Sequence, residues 1–146
     1  MNDTPADVRV RRVVVFFEGL RAEHLPQLAQ LYSDDAFFKD PFNEVRGVQA
    51  IQHIFAHMFR SLERPRFVIH DSVAQGDQCF LSWDFRFAQR RSKAREMIIR
   101  GASHLRFADD GRIAMHRDYW DVAEELYEKL PLLGTLMRWL KRRVNA

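Results

Sequence analysis

The apolar residues of this chain change their spacing once, near residue 65, and that change restricts what the chain can fold into. Before it, Val10, Val13, Val14, Phe17 and Leu20 recur every three or four positions, the period of an amphipathic helix. Gly19 falls at the end of that helix, and Pro26 falls near the start of a second, short one carrying Leu25, Leu28, Ala29 and Leu31. A third helix follows Gly47, with Val48, Ile51, Ile54, Phe55, Met58, Phe59 and Leu62 on one face. Between the second and third helices, Ala36 to Lys39 reads as a brief extended piece, because Pro41 keeps Asp40 out of helical geometry.

From Arg66 to Trp120 the period is two and the chain reads as four strands. Phe67 to Val73 is the first and ends before Gln75-Gly76-Asp77. In the second, Cys79, Leu81, Trp83, Phe85 and Phe87 alternate with Ser82, Asp84 and Arg86. Met97 to Phe107 and Ile113 to Trp120 meet at Asp109-Asp110-Gly111, a hairpin signal. Helix then resumes: Asp121 and Glu124 have capping-box spacing, and Pro131 splits the remainder into two pieces. Three helices, an antiparallel meander and a helical tail over 131–146 make an α+β chain. Its length suits a single domain over residues 1–146.

The bulk numbers exclude several classes. Cys79 is the only cysteine, so neither an intrachain disulfide nor a cysteine-based zinc site is possible. No run of 18 apolar residues exists and Met1 to Asp7 has no apolar stretch. Neither an integral membrane contact nor a secretory signal is therefore expected, and a cytoplasmic location is. The net charge of +3 comes from the end of the chain, where Arg138, Lys141, Arg142 and Arg143 stand without an acid. Removing those four leaves 19 basic against 20 acidic residues. A second basic cluster, Arg86, Arg90, Arg91, Lys93, Arg95 and Arg100, lacks interleaved aromatics to stack bases. Both clusters read as solvated faces, and nucleic acid is not an expected partner.

Strand alternation puts His116, Asp118 and Trp120 on one face of the last strand, neighbours about 6.5–7 Å apart at their Cα atoms. That spacing allows the imidazole and the carboxylate to share a proton network, although a purely structural pair has the same spacing. His104 faces away from Ser103, among Arg100 and Arg106, and reads as outer surface. His53 and His57 stand one helical turn apart, a spacing that can hold a metal, but no carboxylate lies between them. They read as a helix flank. There is no glycine-rich phosphate loop and no nucleophile elbow, so neither metal nor cofactor is expected.

The stretch Leu31-Tyr32-Ser33-Asp34-Asp35-Ala36-Phe37-Phe38-Lys39-Asp40-Pro41-Phe42, followed by Gly47, resembles the early region of bacterial ketosteroid isomerases. Leu105-Arg106-Phe107, Gly111-Arg112-Ile113 and Tyr119-Trp120 are similar to their closing hairpin. Over about residues 8–125 the order of elements resembles the nuclear transport factor two-like superfamily, which includes SnoaL-like polyketide cyclases. The resemblance implies a cone-shaped barrel in which a strongly curved sheet and three N-terminal helices enclose one pocket. It puts a general base on Asp40 and the pocket face of the last strand on His116, Asp118 and Trp120. In those isomerases a tyrosine and a protonated aspartate form the oxyanion hole. Here their positions align with Phe16 (or Phe17 in the next register) and with Ser103.

The expectation is thus a cofactor-free enzyme acting on a small apolar carbonyl compound by isomerisation, dehydration or aldol-type cyclisation. Asp40 would take the proton, His116 return one, Asp118 orient His116 and Ser103 offer a hydrogen bond to the oxyanion. Phe16, Phe42, Phe55, Trp83, Phe85 and Trp120 would shape the pocket. The alternative is a non-catalytic binding or interaction module of the same fold. Val68, Ile98, Ala102, Met115 and Tyr119 fall on the outer sheet face, which predicts a homodimer through that face. Leu133, Leu136, Met137 and Leu140 give the tail an apolar stripe, expected to pack on its own domain or a dimer mate.

Overall fold

The computed structural model describes residues 5–89, 92–127 and 131–144. Arg90 and Arg91 of the second basic cluster, and the first four residues, lie outside the described residues. Helix α1 spans Val8–Glu18 and begins at Asp7, whose carboxylate accepts the Arg9 backbone N–H at 2.9 Å. Its inward face is Val10, Val13 and Phe17. A 3-10 turn over Ala22–Gln27 leads into the single turn α2, Leu28–Leu31. Helix α3, Val48–Ser61, buries Ile51 and Phe55. Gly47 precedes it at φ 100°, a left-handed conformation that disfavours other residues. Leu62 ends the helix in extended geometry and opens a strand instead.

Six strands form one sheet: β1 Tyr32–Lys39, β2 Glu44–Arg46, β3 Leu62–Gln75, β4 Gln78–Gln89, β5 Ser92–Phe107 and β6 Ile113–Tyr119. Their order across the sheet is β2-β1-β6-β5-β4-β3. β3 to β6 are the antiparallel meander expected from the sequence. β1 and β2 add two strands, and β1 pairs with β6 in parallel, so the sheet is mixed rather than wholly antiparallel. β1 starts four residues before the expected extended piece because its register shifts between Tyr32 and Phe37. Asp34 and Asp35 bulge there into solvent, which hides the strand's alternation from the sequence.

The curved sheet wraps round α1 and α3, as in a cone, and the core between them is built on Val13, Leu28, Ile51, Leu105 and Ile113, with Ser103 and His116 as buried polar side chains on the sheet's inner face. Two helices follow, the single turn α4 Val122–Glu125 and the longer α5 Pro131–Val144. In α5 Gly134 is buried and Met137 half-buried, whereas Leu133, Leu136 and Leu140 are exposed. The tail's stripe is therefore not covered by its own domain, in contrast to the first of the two packings expected for it. Among the described residues no helix is long and apolar enough to cross a membrane.

On the outer face of the sheet Phe80 and Tyr119 are exposed, while Val68, Ile98, Ala102 and Met115 are half-buried. His104 belongs to this face, stacked on Phe80 at 4.4 Å between centroids and bonded to Gln78 Oε1 at 2.9 Å. Burial, reinforced by Arg106, pulls its pKa below the ordinary imidazole value.

Candidate functional site

The inner face of β6 carries His116 and Asp118, and the neighbouring strands bring the remaining parts to them. In the β5–β6 ladder Ser103 pairs with Asp118, and in the β4–β5 ladder Trp83 pairs with Gly101. The parallel β1–β6 register sets Phe38 beside His116. His116 is buried, with its Nδ1 2.6 Å from the Tyr32 hydroxyl and its Nε2 2.6 Å from Asp118 Oδ1. The Tyr32 and His116 rings stack at 6° with centroids 5.9 Å apart. Phe38 and Phe17 close the sides of the imidazole edge-on.

The direction of these hydrogen bonds follows from one group that can only donate. Trp83 Nε1–H lies 2.8 Å from Ser103 Oγ, and an indole has no acceptor. Ser103 therefore accepts there and donates its own proton to Asp118 Oδ1 at 2.5 Å. Asp118 Oδ1 is thus an acceptor, so His116 Nε2 donates to it. A neutral imidazole then has Nδ1 free to accept, and Tyr32 donates to that nitrogen. Tyr32 keeps its proton, since burial, aided by the charge of Asp118, pushes its pKa well above the usual phenol value. Two chains, Tyr32 to His116 and Trp83 to Ser103, end on the same carboxylate oxygen.

Among the described residues Asp118 Oδ2 has no hydrogen-bond partner, and it is not sealed from solvent. The Asp118 side chain lines a cavity of about 640 Å³. One wall is aromatic, from Phe67, Trp83, Phe85 and Phe87 of β3 and β4, backed by Ile99 of β5. The facing wall is α3, through Ile54, Phe55 and Met58. The mouth is framed by Phe42 and Trp120, edge to face at 5.6 Å, and by Asp40 and Asn43. Behind it lies an inner pocket of about 20 Å³, room for about one water. Ser103 and His116 line only this inner pocket, whereas Asp118, Phe55, Phe67 and Trp83 line both.

The expected site residues thus fall into distinct places. Asp118, Phe42, Phe55, Trp83, Phe85, Trp120 and Asp40 all line the large cavity. Asp40 Oδ1, however, accepts the backbone N–H groups of Phe42 (2.7 Å) and Asn43 (2.6 Å), and Asn43 Nδ2 bridges both its oxygens at 3.1 Å. That is an Asx-type turn ahead of the β2 strand, and it occupies most of the acceptor capacity a base would use. Ser103 has no proton to spare for an oxyanion, because Trp83 fixes it on Asp118. His116 is buried and does not line the large cavity, and its hydrogen-bonded link to the residues that do line it runs through Asp118. Phe16 lines neither cavity and packs edge-on against Phe17, which faces the inner pocket in its place. One helical residue is a rotation of about 100°, enough to exchange the two.

Tyr32, Phe67 and Gly101 escaped the sequence reading. Tyr32 lies in the stretch that resembles the isomerases, ahead of Ala36, where the residue spacing carries no strand signal. Gly101 was the clearer signal, since an isolated glycine inside a strand marks a close approach. A Cβ there would stand 2.4 Å from the Trp83 ring. His53 and His57 are exposed but also border the cavity mouth. Among the described residues no group of three histidine, cysteine or acidic side chains forms a metal site.

Residues 13–116 match the SnoaL-like domain, and the chain belongs to that family. No curated protein shows significant sequence similarity to it. Solved structures share its fold. One is a hypothetical protein with a ketosteroid isomerase-like fold from Catenulispora acidiphila DSM 44928, in complex with trimethylamine. Its TM-score is 0.70 at 17% identity, over 85% of this chain and 92% of that one. An LEH-like epoxide hydrolase of M. tuberculosis has a TM-score of 0.68 at 21% identity, over 91% and 96%. TerC, co-crystallised with polyporic acid, has 0.68 at 14% identity, over 80% and 93%. At these identities the likeness is one of fold.

Proposed function

We propose that this SnoaL-like protein is a cofactor-free acid–base enzyme that moves a proton on a carbon of a small, largely apolar compound. Isomerisation, dehydration and aldol-type cyclisation share that step, and a carbonyl next to the carbon is the activating group expected from the sequence. The observation that carries the reading is the asymmetry of Asp118: Oδ1 holds two donors, Oδ2 holds none among the described residues, and the side chain lines a cavity large enough for a small ligand. Asp118 takes the proton and returns it to another carbon in an isomerisation, to the departing hydroxyl in a dehydration, or to the new alkoxide in an aldol-type cyclisation. His116 and Ser103 are positioning residues that hold the carboxylate, and Tyr32 fixes the imidazole in the tautomer required. Asp40 then frames the mouth rather than acting as the base. Relatives of the same fold solved with trimethylamine and with polyporic acid support a small-molecule ligand.

A binding role without turnover is the second reading, favoured by one observation: the donors nearest Asp118 are all committed to Asp118 or Ser103. Exchange of solvent deuterium into a panel of enolisable ketones separates the two. Catalysed exchange that disappears in Asp118→Asn supports the enzyme; binding of the panel without exchange supports the module. We further propose a homodimer through the outer sheet face, where Phe80 and Tyr119 are exposed.

A further inference from the structure

Enolate chemistry creates negative charge, and a site that catalyses it aims donors at the place where the charge develops. This cavity has the opposite polarity. Among the described residues no lysine or arginine lines it; its ionisable side chains are the carboxylates Asp40 and Asp118 and, at the mouth, the imidazoles His53 and His57. The two carboxylates are neighbours by topology: Asp40 follows the Lys39–Arg117 pair of the β1–β6 ladder, so it leaves the sheet at the level of Asp118. Their partners are neutral or uncharged-capable donors, Asn43 and backbone N–H for Asp40, Ser103 and His116 for Asp118. Among the described residues no guanidinium or ammonium pairs with either one. Phe67, Trp83, Phe85 and Trp120 line the same cavity, and aromatic faces attract cations.

From this polarity we infer that the ligand is an organic cation with its charge on nitrogen and an apolar body, an iminium being the reactive case. The inference rests on the reading of Asp118 as the group that faces the ligand. The step balances without an oxyanion hole. The C–H bond next to the iminium carbon breaks, and its proton goes to Asp118 Oδ2. Its electron pair forms the C=C bond, and the C=N π pair moves to nitrogen, giving a neutral enamine. Negative charge on the carboxylate and positive charge on the ligand disappear together, so the committed donors around Asp118 are no handicap. An aromatic enclosure favours the cation before the transfer, and the enamine leaves from an apolar wall.

The test compares phenyltrimethylammonium with its neutral isostere tert-butylbenzene, each titrated into the whole protein at about pH 8, where imidazole is ordinarily neutral. Tryptophan fluorescence reads both, since Trp83 and Trp120 line the cavity. The cation is expected to bind about tenfold or more tightly, and Asp40→Asn with Asp118→Asn to bring the two ligands to parity while tert-butylbenzene still binds. Equal or weaker binding of the cation, no binding of it, or a preference that survives both substitutions overturns the inference. Deuterium exchange into a neutral ketone with no preference for the cation overturns it too, and leaves the proposed proton transfer standing. Cation preference without exchange into any carbon acid, iminium included, removes the proton transfer and leaves the ligand class.

Discussion

The benzo edge of Trp83 covers Gly101 so closely that a Cβ on the glycine would stand 2.4 Å from one ring carbon and 2.7 Å from the next. Only in that position does the indole N–H reach Ser103 and fix the sense of the hydrogen bonds that follow. Gly101→Ala is expected to displace the ring, break the 2.8 Å bond to Ser103 and cost about 1–3 kcal/mol of stability through overpacking. Thermal unfolding and the tryptophan emission maximum measure both effects. An alanine variant with unchanged melting and emission would show that Trp83 is not held by this contact.

Asp118 and Asp40 are expected to respond differently to substitution. Asp118→Asn removes the proposed base and lowers turnover by about 10²–10⁴-fold with the fold intact. Asp40→Ala removes the acceptor of the Phe42 and Asn43 backbone N–H groups and costs on the order of 1 kcal/mol. Its direct effect on the chemistry is small. Steady-state rates on a responsive substrate and urea unfolding curves discriminate them. The reverse pattern, activity lost with Asp40 and kept without Asp118, would return the base to Asp40.

The helices and the meander were legible in the sequence because each has one face toward the core, and periods of 3.6 and 2 record that directly. The pair His116 and Asp118 came from the same alternation. Asp40 was assigned on a resemblance, and its role in the structure depends on Asn43, three residues on, whose amide bridges its carboxylate. Tyr32 was out of reach for another reason. A strand pairing parallel to a partner that far along the chain leaves no local pattern, and the bulge at Asp34 and Asp35 interrupts the alternation that would have marked it.

Tyr32 also makes the site sensitive to alkali. Its folded-state pKa is raised, so the buried neutral phenol contributes stability that is complete below the ordinary phenol value near 10. That contribution is lost as pH rises further, because the unfolded chain ionises first. Of the three tyrosines, one is expected to resist ionisation in a phenolate absorbance titration until the protein unfolds. Tyr32→Phe is expected to remove that delayed step. Three tyrosines titrating together in the folded protein would contradict the burial of this one.

The outer face makes its own prediction. Phe80 and Tyr119 are about half exposed, at 51% and 49%, on the face expected to pair in a homodimer. Sedimentation at micromolar concentration is expected to give a dimer, and Phe80→Glu with Tyr119→Glu a folded monomer. A wild-type chain that sediments as a monomer would refute the assembly.

The parallel pairing of β1 with β6 also sets a clock on the ribosome. Tyr32 and His116 are 84 residues apart, and synthesis proceeds at about 5–20 residues per second. Tyr32 therefore waits roughly 4–17 s for its partner to be made. During that time β1 has only the short β2 to pair with, and its other edge is an open template for neighbouring chains. Asp34 and Asp35, charged and turned outward in the bulge, sit on the strand that must wait, where charge discourages premature pairing. The irregularity that concealed β1 from its sequence is placed where a nascent chain needs protection most.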